Sequence, residues 1–361
     1  MLLVATTGCA EPEGLLRAAP AKTTVKFDFD HRPLPDIPLP NDIATRPDFT
    51  SLTGLRVNAS QVATTSNEET VRTLINTLDG WGVYQPITIP FTSPLQIESI
   101  TSRHRDDDYD TSNDAIYLID IDRDSPDFGR IHHLDVGNGN YPVILERIDR
   151  YGDNDPRGWT LSLMFDEEDE DKNHNGVLDP GEDTNANGVL DRPNYYPGRA
   201  PERHDLVGRA DALMSFYEVP TNTIIAAPMT PLRERTTYAV VVTRRVRDAD
   251  GQPVGSPFPY VNHTAQTEKL EPLLEVLPPG LEPEDIAFAF AYTTESITSD
   301  WIAVREGLYE MGPQAHLGED FPPKLERLFP LKETGPGQTF EGRTPYVLFQ
   351  EDWGVVLDLL L

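Results

Sequence analysis

Apolar residues recur along this chain in short alternating or β-branched runs more often than with the 3.6-residue spacing of a helix, and that period predicts strands. The runs are Tyr84 to Leu95, Ala115 to Ile121, Tyr141 to Ile148, Trp159 to Phe165, Asn222 to Met229, Thr236 to Val246 and Ile286 to Thr294. Seven strands joined by turn-rich connections predict a mainly β fold, a β-sandwich with a few peripheral helices. The Asp-Gly pair in "RDADGQP", Arg247 to Pro253, marks one of the turns.

Helical spacing is confined to three places. In "SNEETVRTLINTLDG", Ser66 and Glu69 form a capping-box pattern, Val71, Leu74, Ile75 and Leu78 make one apolar face, and Gly80 closes the segment. Glu268 to Leu277 and Ser299 to Glu310 are the others; in the last, Trp301, Val304, Leu308 and Met311 share a face that reads as a packing surface. Ahead of these, Phe27 to Asp48 is too rich in proline for a helix or a central strand and is expected to run extended over a surface.

One stretch follows neither period. "DKNHNGVLDPGEDTNANGVLD", Asp171 to Asp191, repeats Asp-x-Asn-x-Asn-Gly-Val-Leu-Asp at an interval of twelve residues. A calcium ion takes six to eight oxygen ligands, so a short loop that binds it must aim alternate side chains inward and turn sharply in its middle. Asp171, Asn173 and Asn175 fall at loop positions 1, 3 and 5, Gly176 at the turn, Val177 offers a backbone carbonyl, Asp179 is ninth and Glu182 closes as twelfth. Every slot of the EF-hand loop is filled. The second copy supplies Asp183, Asn185, Asn187, Gly188, Val189 and Asp191, but its twelfth position is Asn194, so it is weaker or borrows a ligand. His174 falls at an outward position. The preceding "FDEEDED" reads mainly as a solvated acidic run, with Asp169 a candidate extra ligand. No long amphipathic helix flanks either copy, which predicts a rigid insert over 166–194 rather than a helix-opening sensor.

Charge sharpens this picture. A formal net charge of -30 over 361 residues argues against nucleic acid as a partner, because phosphate binding needs clustered Lys and Arg, and suits divalent cations. The single cysteine, Cys9, ends the run "MLLVATTGC" and precedes a polar stretch. That pattern resembles a bacterial lipoprotein lipobox, in which the cysteine is acylated; Thr6 stands where leucine is usual, and no basic residues precede the apolar run. Residues 1–9 are then a signal remnant, 10–24 a tether to the membrane, and the expected location is a bacterial cell envelope or surface. No stretch reaches the roughly 18 apolar residues of a membrane span; Val355 to Leu361 is too short. One cysteine also means no internal disulfide.

The run "PLRERTTYAVVVTRRVRDADGQPV", Pro231 to Val254, followed by "FAYTT", Phe290 to Thr294, looks like the closing strands of a bacterial Ig-like domain. With "PLPDIPLPNDIAT" (Pro33 to Thr45) and "TGLRVN" (Thr53 to Asn58) upstream, the order resembles the N-terminal region of the bacterial virulence-factor lipases, surface lipoproteins whose Ig-like module precedes an α/β-hydrolase domain. The resemblance covers roughly residues 25–310. It implies an Ig-like sandwich over 81–295, preceded by an extended segment and helix over 25–80. A helix and tail over 296–361 follow it, ahead of a hydrolase domain that this chain lacks.

A hydrolase of that kind needs a Gly-x-Ser-x-Gly elbow, whose strained turn exposes the serine oxygen, and the sequence contains none. Ser256 in "VGSPFPY" reads as a turn residue. His132, His133, His204, His263 and His316 show no triad or metal spacing and read as surface or satisfied core histidines. Catalytic residues are therefore expected to be none. The expected function is that of a non-catalytic, calcium-binding, cell-surface module; the alternative is the non-catalytic part of a lipase or esterase.

Overall fold

The computed structural model describes residues 13–31, 35–63, 65–104, 110–136, 169–173, 175–184, 188, 190, 192, 194–196 and 214–321, with backbone only at 327–329 and 347–349. Among these, the chain is sheet-rich but mixed: several antiparallel sheets accompanied by short α- and 3-10 helices. Met1–Ser296 and Ile297–Leu361 form separate compact units.

Two sheets dominate the first unit. One joins β4 (Ile116–Asp120), β5 (Ile131–His132), β9 (Thr237–Thr243) and β10 (Ile286–Thr293) in the order β10-β9-β4-β5. The other is built on β8 (Thr223–Pro228), flanked by β3 (Ile87–Pro90) and β6 (Leu134–Asp135), with β7 (Tyr217–Glu218) also paired to it. Five of the seven expected strands are thus present; Tyr141 to Ile148 and Trp159 to Phe165 lie outside the described residues.

Alternation explains how the sheets are covered. On β9, Tyr238, Val240 and Val242 enter one apolar cluster while Ala239 and Val241 enter another; on β10, Phe288, Phe290 and Tyr292 oppose Ala289 and Ala291 in the same way. The large side chains meet Ile87, Ile89, Ile224 and Ala226 of the second sheet, and the small ones leave room for Val261, Leu270, Leu273 and Leu281 on the opposite face. The first sheet is therefore buried on both faces, as β10 with all eight residues buried demonstrates. Each fully buried Phe or Val contributes about 1.5–3 kcal/mol of transfer free energy.

Several expectations are corrected. Helix α1 spans Ser66–Ile75, but its cap is Thr65, whose side chain accepts from the Glu68 amide, rather than Ser66. Its apolar face is not buried: Val71 and Leu74 are 47% and 62% exposed. The inward residue is Arg72, whose Nη1 donates to the Ser60 and Val62 carbonyls at 3.1 and 2.5 Å while Nη2 pairs with Glu68. Backbone carbonyls in the preceding loop give the guanidinium partners that an apolar side chain could not use. Gly80 lies beyond the helix and fits against the Thr294–Glu295 backbone, where a Cβ would come within 2.7 Å.

Between α1 and β4 lies α2 (Glu98–His104), where the sequence pattern predicted no helix. Its last residue, His104, accepts the Ala115 and Ile116 amides at 3.2 Å through Nε2 and so holds the start of β4. The helix expected over Glu268 to Leu277 is α3 (Thr267–Leu270) between two 3-10 turns, because Pro272 has no amide to continue it.

The stretch 13–24, expected as a tether, is docked. Leu15, Leu16 and Ala18 pack on the second apolar cluster, Ala18 N donates to Pro259 O, and Thr23 is buried with its hydroxyl on Asp248 at 2.9 Å. The proline-rich segment after it is extended, as expected, through bridges Asp28↔Asp36 and Leu39↔Thr88. It then makes a 3-10 turn at Asp42–Ala44 and a short hairpin of β1 (Thr45–Pro47) and β2 (Leu55–Val57).

The second unit holds α4 (Ser299–Leu308), α5 (His316–Asp320) and the antiparallel pair β11 (Arg327–Phe329) and β12 (Val347–Phe349). The helices approach closely at Gly307 and Gly318.

Candidate metal-binding loops

Short polar side chains that bond their own backbone build the repeat. In the first copy Asn173 Oδ1 accepts the Asn175 amide at 3.0 Å and Asn175 Oδ1 accepts the Val177 amide at 2.7 Å. Asp171 spans the loop: its Oδ1 takes the Asn175 amide at 2.8 Å and its Oδ2 the Gly176 amide at 2.9 Å. Gly176 occupies the left-handed region at φ +75°, as the sharp turn demands.

The second copy repeats this geometry where it is described. Asp183 Oδ2 accepts the Gly188 amide at 2.9 Å, and Gly188 has φ +74°. Two segments twelve residues apart thus share the bond from position 1 to position 6 and the same backbone turn. Asn185, Asn187, Val189, Asp191 and also His174 lie outside the described residues.

Glu182, the twelfth residue of the first copy, is buried and reaches back into it: Oε1 accepts the Lys172 amide at 3.0 Å and Oε2 the Asp179 amide at 2.9 Å. Asp179 Oδ2 accepts from the side-chain amides of Asn173 and Asn175 at 2.7 and 2.8 Å. The Arg192 guanidinium lies 3.4 Å from Asp171 and 3.8 Å from Asp169. Asp171 is 1% exposed, whereas Val177 is open to solvent.

Two findings correct the sequence reading. Asn194 does not close the second copy. Its amide donates to the Met214 and Tyr217 carbonyls at 2.7 and 2.6 Å, and its oxygen accepts the Val219 amide at 3.0 Å, so it ties the insert to β7. And Glu170, read as part of a solvated run, is fully buried: its Oε1 takes the Thr184 amide and hydroxyl at 2.6 and 2.7 Å. Twelve residues separate Glu170 from Glu182, and twelve separate Lys172 from Thr184. Each glutamate therefore holds the position-2 amide of the copy it does not immediately precede. That equivalence was the available signal, since the repeat extends one residue further back than its Asp-x-Asn core.

Among the described residues no three His, Cys, Asp or Glu side chains are gathered at metal-ligand range. The carboxylates hold backbone amides instead. The donors still fit a hard cation: they are all oxygens, two of the side chains are neutral amides, and a carboxylate that accepts one amide per oxygen retains lone pairs for an ion.

The other singled-out groups are structural. Ser256 Oγ donates to Tyr260 O at 2.5 Å and accepts the Phe258 amide, a turn as expected. His263 Nδ1 accepts the Ala265 amide and the ring stacks on Phe27. His132, edge-on to Tyr238 at 5.4 Å, is held neutral by burial, which lowers its pKa to about 4, with Arg130 adding to the effect. His133 and His316 are among the described residues; His204 and Cys9 lie outside them. No helix among the described residues is long and apolar enough to cross a membrane.

A scan against protein-family models matched none, and searches of curated proteins and of solved structures found no similar chain.

Proposed function

We propose that this chain is a non-catalytic, calcium-stabilised module of a bacterial cell envelope, an Ig-like β-sandwich carrying a tandem calcium loop and held at a membrane through a lipid on Cys9. The observation that carries the calcium reading is the repeated loop scaffold: the same position-1 to position-6 bond of 2.9 Å at Asp171 and Asp183, around glycines of the same left-handed conformation. The ligands would be Asp171, Asn173, Asn175, Asp179, Glu182 and the Val177 carbonyl in the first loop, and Asp183, Asn185, Asn187, Asp191 and the Val189 carbonyl in the second. Two antiparallel sheets sharing one apolar cluster support the sandwich. The alternative, the non-catalytic part of a lipase or esterase with a separate hydrolase domain, draws on the Pro231 to Val254 and Phe290 to Thr294 runs, which form β9, the turn after it and the second half of β10.

Calcium that binds only the folded state adds about 2.7 kcal/mol when free ion is a hundredfold above its dissociation constant. Chelator is therefore expected to lower the melting temperature, and Asp171→Ala or Glu182→Ala to remove most of that shift. Asp183→Ala should remove less. Neither a melting shift nor calorimetric heat up to about 5 mM calcium, beyond the usual range of extracellular sites, would end the calcium reading. For the anchor, Cys9→Ser should move the protein from the membrane to the soluble fraction; equal partitioning of both forms would dispose of it.

A further inference from the structure

Asn175 is followed by Gly176, and an asparagine before a glycine carries its own reaction, because no Cβ screens the glycine amide from the asparagine side chain. The Gly176 nitrogen forms a bond to Asn175 Cγ, its proton passing through water to Nδ2, which leaves as ammonia. Water then opens the resulting five-membered imide at one of its two carbonyls and leaves aspartate or isoaspartate, the latter with the main chain routed through the side chain. Burial does not prevent this: Asn175 and Gly176 are both exposed, and a Cβ built on Gly176 meets no atom within 4 Å. Hydrogen bonds hold the reacting groups instead. Gly176 N donates to Asp171 Oδ2 at 2.9 Å, Asn175 Oδ1 accepts the Val177 amide at 2.7 Å, and Asn175 Nδ2 donates to Asp179 Oδ2 at 2.8 Å. Asp171 also takes the Asn175 amide at 2.8 Å through Oδ1. Two of these partners are carboxylates, and their charge opposes the reaction. A nitrogen that loses its proton 2.9 Å from Asp171 sets two negative charges side by side. Asp179 accepts from the departing nitrogen and, when ionised, has no proton to give it.

We infer that Asn175 is a latent site of deamidation, kept intact by Asp171 and Asp179 and converted to aspartate or isoaspartate when the loop opens. Conversion adds a negative charge beside those two carboxylates, and isoaspartate also inserts a methylene into the main chain at the glycine turn. Because ammonia is lost, an opening of the loop is recorded permanently in the chain. The reaction needs only water and does not depend on the calcium reading.

The full chain, incubated at mildly alkaline pH without calcium and followed by peptide mass spectrometry, reports the rate, with fragment spectra separating Asn175 from Asn187. Folded wild type should convert at Asn175 roughly tenfold or more slowly than the same chain unfolded in guanidinium, the factor that one hydrogen bond to a charged acceptor supplies at its lower bound. Asp171→Ala should bring the folded protein close to the unfolded rate. Asp171→Asn, which keeps an acceptor of the same shape and removes only the charge, should fall between wild type and Asp171→Ala. Conversion of folded wild type as fast as the unfolded chain would overturn the inference. So would two Asp171 variants that both remain as slow as wild type.

Discussion

Replacing Glu170 with alanine removes a fully buried carboxylate from a position where it accepts two hydrogen bonds, from the Thr184 amide at 2.6 Å and the Thr184 hydroxyl at 2.7 Å. Bonds to a charged acceptor are worth about 1.5–3 kcal/mol each net. The lower figure is appropriate here because alanine also relieves the desolvation of the carboxylate. The loss is then about 3 kcal/mol, or roughly a hundredfold in the local opening equilibrium of the second loop. Glu170→Gln keeps a neutral acceptor oxygen and should lose about half as much free energy. Hydrogen exchange read at Thr184 and Gly188 is the direct assay: both amides should lose protection in Glu170→Ala, while amides of β9 should be unchanged. Unaltered protection of Thr184 would show that Glu170 is not what holds the second loop, and the exchanged-glutamate account would fall.

Two further outcomes follow from local geometry. Because His132 is neutral in the fold with its pKa lowered to about 4, the unfolded chain binds a proton first as acidity rises. The stability it confers is complete above the ordinary histidine pKa of about 6.5 and is lost between there and pH 4, roughly 3 kcal/mol in all. His132→Phe should flatten that part of the urea-midpoint profile, and an unchanged slope would remove His132 as its source. Gly176→Ala and Gly188→Ala meet no atom within 4 Å of the added methyl, so each should cost only the left-handed backbone term, about 1 kcal/mol, measured as a fall in loop melting with calcium and without it; a neutral result at both would contradict the turn.

What could be read in advance was whatever depended on local period. β9 and β10 were legible because Tyr238, Val240 and Val242, or Phe288, Phe290 and Tyr292, alternate with smaller residues, and a two-residue period has one structural meaning. The turn of the first repeat copy was legible because its bonds join residues no more than about ten apart. Arg72 was not, since its burial depends on where the Ser60 and Val62 carbonyls happen to point. Glu170 looked like its acidic neighbours until Thr184 was brought to it across a turn. The docking of 13–24 was hidden too, for a segment without regular apolar spacing becomes ordered only by meeting the Tyr260 and Gly255 backbone more than two hundred residues away.

That docking has a mechanical side. A chain pulled from upstream of residue 13 does not hand its load to a single terminal bond. Glu13 O is held by the Thr267 hydroxyl, Leu15 N by Asn262, Leu16 O by Val261 N and Ala18 N by Pro259, before Thr23 and Val25 engage Gly255 and Lys26 N reaches Pro90. Tension is spread over supports that belong to the loop leading to α3, the turn after β9 and the end of β3. Only residues 10–12 lie between Cys9 and the first of those supports, a length of chain that fully extended spans at most about 15 Å.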